Sequence, residues 1–139
     1  MDTKSGDVKS LYNDFNHLGR LDGVTYKTDG SGIQDIEIKH PDNFFIIITI
    51  PDGIFEWFVD ILDDKKNKLV SEWYDDYDGP EEVLKANRQK DIEEFVHDII
   101  NHKLRFVFEK KMFKEVLTVE ILRDNGWTKL YSNSKLKIF

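Results

Sequence analysis

Carboxylate and aromatic side chains alternate through residues 52–82, and this stretch holds the side chains best suited to chemistry. It carries eleven acids against three lysines, a net charge of −8, whereas the rest of the chain sums to +1. Two carboxylates can hydrolyse a glycoside when one donates a proton and the other acts as base or nucleophile. Asp60, Glu72 and Asp75 are candidates for such a pair, because their aromatic neighbours could stack on a sugar ring.

The spacing of the polar residues argues against metal chemistry. Aligning Gly79 with the glycine of a calcium-binding EF-hand loop places Tyr74 and Lys85 where carboxylate ligands belong, so the motif is not present. His97 and His102 are five residues apart on a predicted helix. They therefore point about 140° apart and cannot share a metal ion. We expect no metal, no cofactor and no enzymatic activity.

The same stretch is better suited to binding a protein. Carboxylates steer a basic partner toward a surface, and tyrosine and tryptophan are frequent anchors of protein interfaces. A net charge of −7 disfavours nucleic acids and anionic membranes as ligands. The candidate partner-binding residues are Asp60, Asp63, Asp64, Glu72, Tyr74, Asp75, Asp76, Tyr77 and Asp78. For Trp57, Phe58 and Trp73 we expect mainly a structural role.

Length and composition predict a single globular domain over residues 1–139. The chain is 40% hydrophobic and 13% aromatic, which is enough for one core, and its length does not favour a second. The N-terminal residues lack the apolar segment of a signal peptide, and no run reaches the roughly 20 apolar residues that cross a bilayer. The absence of cysteine fits a reducing compartment. We therefore expect a cytoplasmic protein, and we favour a monomer.

Hydrophobic periodicity predicts the elements that position the candidate residues. Apolar residues at helical spacing predict a first helix at about residues 7–19. Four strands rich in β-branched and aromatic residues follow, at 33–38, 44–50, 54–62 and 69–74. The second of these strands is apolar at odd and even positions. It is therefore expected to be central and covered on both faces.

A second helix is expected to begin after Pro80 or near Arg88 and to end near His102, because apolar residues recur there every three or four positions. Three further strands are predicted at 104–108, 116–123 and 127–131. The resulting order is α-β4-α-β3. Short connections favour an α+β domain with two helices on one side of a mainly antiparallel sheet of about six to seven strands.

Two predicted hairpins fix the strand register. A loop at residues 64–67 pairs Phe58 with Trp73, and Trp57 with Tyr74, so aromatic pairs lie on both faces of the hairpin.

The second predicted hairpin depends on Asn125-Gly126. This is the preferred pair for a two-residue type I′ turn, which requires positive φ at both positions. A turn of this kind places Ile121 opposite Leu130 on the core face.

Residues 56–77, with the sequence EWFVDILDDKKNKLVSEWYDDY, resemble a hairpin common in immunity proteins of bacterial polymorphic or contact-dependent toxin systems. Such proteins are small, acidic, cysteine-poor, cytosolic and non-enzymatic, and they bind a cognate toxin domain to occlude its active site. Many of these toxins are basic nucleases. The resemblance implies that the hairpin contacts a basic toxin, and we expect its carboxylates to mimic a polyanionic substrate.

Two other functions fit the same sequence. A type III secretion chaperone is also small, acidic and α+β, but it dimerises and holds an extended effector segment against hydrophobic grooves. A small enzyme that uses two of the carboxylates would instead require a concave pocket with one carboxyl group of raised pKa. The mass of the free protein distinguishes the chaperone, and the shape of the acidic surface distinguishes the enzyme.

Overall fold

The computed structural model describes residues 15–28, 30, 32–51, 55–75 and 77–136 of the chain. A 3₁₀ turn at Asn16–Arg20 comes first. The next five elements are strands: β1 (Val24–Thr28), β2 (Gln34–His40), β3 (Phe44–Ile50), β4 (Trp57–Leu62) and β5 (Lys68–Tyr74). The last four elements are α1 (Glu81–Ile100), β6 (Leu104–Lys111), β7 (Lys114–Arg123) and β8 (Gly126–Leu136).

The expectation of an α+β fold with two helices in the order α-β4-α-β3 is wrong. The described residues form eight strands in two sheets, one α-helix and one 3₁₀ turn, so they are mainly β. Most of the helix expected at 7–19 lies outside the described residues, and the 3₁₀ turn occupies its described end. The turn stops because Leu21 is extended, with φ −74° and ψ 144°, and the unpredicted strand β1 begins at Val24.

One buried glutamine anchors the start of the 3₁₀ turn to the first sheet. The side-chain oxygen Oε1 of Gln34 accepts hydrogen bonds from the backbone N–H of Phe15 and from the hydroxyl of Tyr26, each at 2.9 Å. This oxygen therefore joins the turn to β1 and β2. Close packing also requires Gly19, because a Cβ atom there would lie 2.8 Å from Cβ of Tyr26.

The strands form two antiparallel meanders. The first sheet has the order β1-β2-β3-β4-β5 and the second has the order β6-β7-β8, in place of the single sheet expected. As predicted, β3 is the central strand of its sheet. The expectation that both its faces are covered is wrong, because Phe45, Ile47 and Thr49 on one face remain partly exposed.

The predicted register of the β4–β5 hairpin is confirmed. Phe58 pairs with Trp73, and Trp57 pairs with Tyr74. The pleat alternates side chains between faces, so the two aromatic pairs lie on opposite sides of the first sheet.

The predicted register of the β7–β8 hairpin is wrong. Arg123 pairs with Gly126, which leaves Asp124 and Asn125 as the turn, and Ile121 faces Thr128 rather than Leu130. Asn125 does not have the positive φ that a type I′ turn requires. Gly126 supplies the positive φ instead, at 109°, as the first residue of β8.

The hydrophobic core lies on one side of the first sheet, which we call the inner face. There α1 and the second sheet pack against the first sheet, and the buried residues form one cluster. The helix begins after Pro80, which was one of the two predicted starting points. It buries Ile92, Phe95, Val96 and Ile99. No helix in the described part of the chain is long and apolar enough to cross a membrane.

Candidate protein-binding face

The opposite side of the first sheet, which we call the outer face, is not covered by α1 or the second sheet. Along β4, Trp57, Val59 and Ile61 are buried on the inner face, and the alternating residues point outward. Cross-strand pairing assembles the outer face from three neighbouring strands. Its defining residues are Phe45, Ile47, Phe58, Asp60, Leu62 and Trp73.

Trp73 is the most exposed aromatic side chain of this face. Its accessible fraction is 57%, although it is paired with Phe58 in the ladder, one residue before the end of β5. One side of the indole stacks on Phe58, with ring centroids 5.8 Å apart and an interplanar angle of 19°. At the ring edge, Nε1 donates a 3.0 Å hydrogen bond to Oε1 of Glu56. The indole is thus held in place while much of its surface meets solvent.

Asp60 lies in the centre of the outer face, between Ile47 on β3 and Ser71 on β5. Its Oδ1 atom is buried and accepts no hydrogen bond from the described residues. The ammonium of Lys68 approaches this atom to 3.7 Å. An apolar face that surrounds one carboxylate favours a polar or cationic group on the surface that covers it.

The outer face has two chemically different ends. At the Phe45 end, the ammonium of Lys66 lies 3.6 Å from the ring centroid of Phe45 and 3.8 Å from Oε2 of Glu37. The chain's own cation therefore already covers that ring. Among the described residues, no lysine or arginine lies over Trp73. The Trp73 end is consequently the open part of the outer face.

Asp63 shapes the β4–β5 turn. Its Oδ1 atom accepts hydrogen bonds from the backbone N–H groups of Asn67 at 2.8 Å and Lys65 at 2.9 Å. The N–H of Asn67 is the main reason why the pKa of Asp63 falls below its ordinary value. Its neighbour Asp64 is exposed at the same turn. Of these two predicted binding residues, Asp63 thus has a clear local structural role.

Glu72 and Tyr74 lie on the inner face, opposite Val59 and Trp57. The hydroxyl of Tyr74 is hydrogen-bonded to the hydroxyl of Tyr131 on β8, which connects the two sheets. Burial raises the pKa of both tyrosines, and the charge of Glu72 raises both further. These two predicted binding residues are therefore separated from Asp60 by the thickness of the sheet.

Tyr77 also contacts the interior rather than the outer face. Its hydroxyl accepts a hydrogen bond from Nε1 of Trp57 and donates one to Oδ2 of Asp91, each at 2.8 Å. Burial is the main cause of its raised pKa. Asp75 and Asp78 are exposed between β5 and α1, and Asp76 lies outside the described residues.

A cleft of about 200 Å³ opens on this inner side, between α1 and the second sheet. Trp57, Tyr74, Asp91 and Asp98 line part of it. Two of its carboxylates already have partners, because Asp91 accepts from Tyr77 and Asp98 lies 3.1 Å from a guanidinium nitrogen of Arg123. These two carboxylates are therefore already used within the chain.

The structure separates two of the three proposed catalytic carboxylates. Asp60 lies on the outer face and Glu72 on the inner face, so this pair cannot flank one glycosidic bond. Within the described residues, no group of three or more histidine, aspartate or glutamate side chains could hold a metal ion.

The sequence interpretation assigned Trp73 a structural role and did not include it among the binding residues. Strand parity is the signal that could have identified it. Asp60 pairs with Ser71, and Trp73 lies two residues further along β5, so Asp60 and Trp73 must share a face. Family models, curated proteins and solved structures were compared with the chain, and none of these comparisons found a match.

Proposed function

We propose that this chain is a non-enzymatic, cytoplasmic immunity protein of a bacterium, which binds and neutralises a cognate, basic toxin domain through the outer face. The observation that carries the proposal is the 57% exposure of Trp73 on the sheet face that α1 and the second sheet do not cover. Exposed aromatic side chains beside other apolar residues are typical of protein-binding sites. The hairpin that carries Trp73 is also the segment that resembles the immunity proteins.

Charge supports the choice of a basic partner. The stretch 52–82 has a net charge of −8, and exposed acids lie at both ends of the β4–β5 hairpin: Asp64 at the turn, and Asp75 and Asp78 after β5. These acids can steer a cationic surface toward the outer face, where the apolar residues provide the buried contact. By covering a basic active site, the hairpin would exclude a polyanionic substrate.

Capture of the partner is the first experiment. The tagged full chain is purified from its native host together with the products encoded beside it, and co-purifying proteins are identified. A single basic domain that binds with one-to-one stoichiometry and loses its toxicity in the complex supports the proposal. Capture of only acidic or unrelated proteins contradicts it.

Charge reversal then tests the role of the exposed acids. The double variant Asp75→Lys, Asp78→Lys is expected to slow association with the partner about tenfold at low salt, with little change in dissociation. The matched control is Asp22→Lys, Asp124→Lys, which changes the net charge equally at exposed turns outside the hairpin. Equal slowing in the two variants would show that only net charge matters, and it would remove the hairpin acids from the mechanism.

A chaperone-like dimer is the second candidate, because the β6–β7 tip exposes apolar side chains. Met112 is 85% exposed, Phe113 is 62% exposed and Phe108 is 48% exposed. A dimer in size-exclusion chromatography with light scattering, which Met112→Asp converts to a monomer, would favour this candidate. The immunity proposal expects a monomer before and after that substitution.

A further inference from the structure

A filled arginine site on the second sheet shows what a tryptophan and a glutamate can bind in this protein. The guanidinium carbon of Arg105 lies 4.2 Å from the ring centroid of Trp127. The Nε atom of Arg105 donates a 2.6 Å hydrogen bond to Oε1 of Glu120, its cross-strand partner. The cation thus contacts an aromatic ring and a carboxylate at once, and these contacts reinforce each other.

The first sheet presents the same two acceptors without the cation. The carboxylate of Glu56 lies at the edge of the Trp73 ring, where it accepts the hydrogen bond from Nε1. The nearby lysines of the outer face have other contacts, since Lys68 lies beside Asp60 and Lys66 lies over Phe45. Among the described residues, the exposed ring of Trp73 therefore lacks the guanidinium that Trp127 has.

We propose that Trp73 and Glu56 form a receptor site for one arginine side chain of a protein partner. The guanidinium lies flat on the exposed indole and donates hydrogen bonds to the carboxylate of Glu56. The origin of this arginine, a basic toxin domain, rests on the proposed function, whereas the site itself rests on the geometry. Its affinity for an arginine peptide can therefore be measured without the partner.

Arginine fits this site better than lysine. A guanidinium is planar, weakly hydrated and able to stack while it donates two parallel hydrogen bonds, whereas an ammonium is compact and strongly hydrated. The site is also preorganised, because Phe58 and Glu56 already fix the Trp73 ring. Trp73 therefore loses little rotamer freedom when the arginine binds.

The three tryptophans give the experiment internal controls. The full chain labelled with nitrogen-15 has one indole N–H signal from each of Trp57, Trp73 and Trp127. We titrate it with the blocked peptide acetyl-Gly-Arg-Gly-amide, and in parallel with acetyl-Gly-Lys-Gly-amide. The Trp73 signal is expected to shift on saturation, with about three- to fivefold weaker binding of the lysine peptide. No Trp73 shift, or equal affinity for the two peptides, would overturn the proposal.

Two variants separate this site from a general attraction of cations. Glu56→Gln keeps an oxygen for the Trp73 hydrogen bond but removes the charge, and it is expected to weaken arginine binding about three- to tenfold. Arg105→Ala empties the Trp127 site, so a new arginine-dependent shift is expected at Trp127. If Trp127 responds in that variant while Trp73 never responds, the assay works and the inference is wrong.

The two proposals fail in different ways. If the arginine peptide shifts Trp73 but no basic partner can be captured, the arginine site stands and the immunity function is rejected. If a basic toxin is captured but the peptide leaves Trp73 unchanged, the immunity function stands and the arginine site is rejected.

Discussion

Trp127 and Trp73 occupy comparable positions on the two sheets but differ in what completes their surroundings. Trp127 has Arg105 against its ring and Glu120 as the acid, so its interactions are closed within the chain. Trp73 has Glu56 and an apolar neighbour, Phe58, and its ring remains open. This difference is the basis of our proposal that Trp73 and Glu56, and not the densest group of carboxylates, form the binding site.

Strand register explains the difference. On the second sheet, Arg105 of β6 is directly opposite Glu120 of the middle strand β7, so the cation that covers Trp127 of β8 reaches it across β7. On the first sheet, the residue opposite Trp73 is Phe58, which stacks but carries no charge. Within the described residues, Trp127 thus contacts a cation of the chain and Trp73 does not.

Removing each tryptophan gives the largest expected contrast. Trp73→Ala is expected to weaken partner binding by about 2 kcal/mol, or about thirtyfold, as for an interface hot spot. Trp127→Ala is expected to change affinity by less than about twofold. Isothermal titration calorimetry with the captured partner measures both, and circular dichroism checks that each variant is folded. Similar losses in the two variants would remove the distinction between the sites.

Alkaline pH tests the tyrosine contact that connects the sheets on which the two tryptophans lie. Burial raises the pKa of Tyr131, so the folded protein keeps its phenol protonated when the unfolded chain does not. This contribution to stability is complete below about pH 10 and is lost as pH rises toward the folded-state pKa. Each such tyrosine adds a slope of up to about 1.4 kcal/mol per pH unit.

The variant Tyr131→Phe is therefore expected to lose stability less steeply than the wild type between about pH 9 and about pH 11. At neutral pH it should cost only about 1 kcal/mol, because one hydrogen bond is lost. Urea unfolding at each pH provides the free energies. A slope equal to that of the wild type would show that the Tyr74–Tyr131 contact does not control alkaline stability.

Removing Arg105 beside Trp127 is expected to lower the free energy of unfolding more than removing Glu56 beside Trp73. Arg105→Ala is expected to lower the free energy of unfolding by about 1 kcal/mol, because a cation–π contact and a partly exposed ion pair are lost together. Glu56→Ala is expected to cost less than about 0.5 kcal/mol, because it removes one exposed hydrogen bond. Urea unfolding compares them, and a double-mutant cycle with Trp127→Ala isolates the Arg105 contact. A larger cost at Glu56 would contradict the comparison.

The smallest effect is expected in the turn that carries the Trp73 hairpin. The pKa of Asp63 is lowered mainly by the N–H of Asn67, so its ionised form stabilises the folded state. That contribution is present at neutral pH and disappears as pH falls through the folded-state pKa. Asp63→Ala should therefore be slightly less stable than the wild type at neutral pH and similar to it in strong acid. A difference that persists in acid would assign the effect to something other than the carboxylate.

Local patterns predicted most of the strands and the β4–β5 pairing, but they did not predict the β7–β8 register or the packing of the two sheets. The β4–β5 register was predicted correctly from Trp57 to Ile61, although an irregularity between Ile61 and Leu62 shifts the pairing next to the turn. The two-sheet arrangement did not follow, because periodicity does not show whether β6 rejoins the first sheet after α1. Strand β1 was missed because its only buried residue is Val24, which is too weak a pattern to identify. Asn125-Gly126 correctly indicated a hairpin between β7 and β8, but the turn residues are Asp124 and Asn125.

The candidate site was predicted only in part. The sequence identified the β4–β5 hairpin, and Asp60 does lie on its outer face. The sequence interpretation placed Glu72 and Tyr74 in the same site as Asp60, although their side chains lie on the inner face. Alternation of side chains along β5 would have separated them from Asp60. The sequence also could not show that Trp73 stays exposed, since that depends on where α1 and the second sheet pack.

The most direct test of the outer face as the binding surface is NMR cross-saturation in the complex with the captured partner. Protons of the unlabelled partner are saturated, and the intensity loss is measured at the indole N–H groups of Trp57, Trp73 and Trp127. If the partner covers the outer face, the largest loss is expected at Trp73 and little loss at the other two. A large loss at Trp127 with none at Trp73 would show that the partner binds elsewhere.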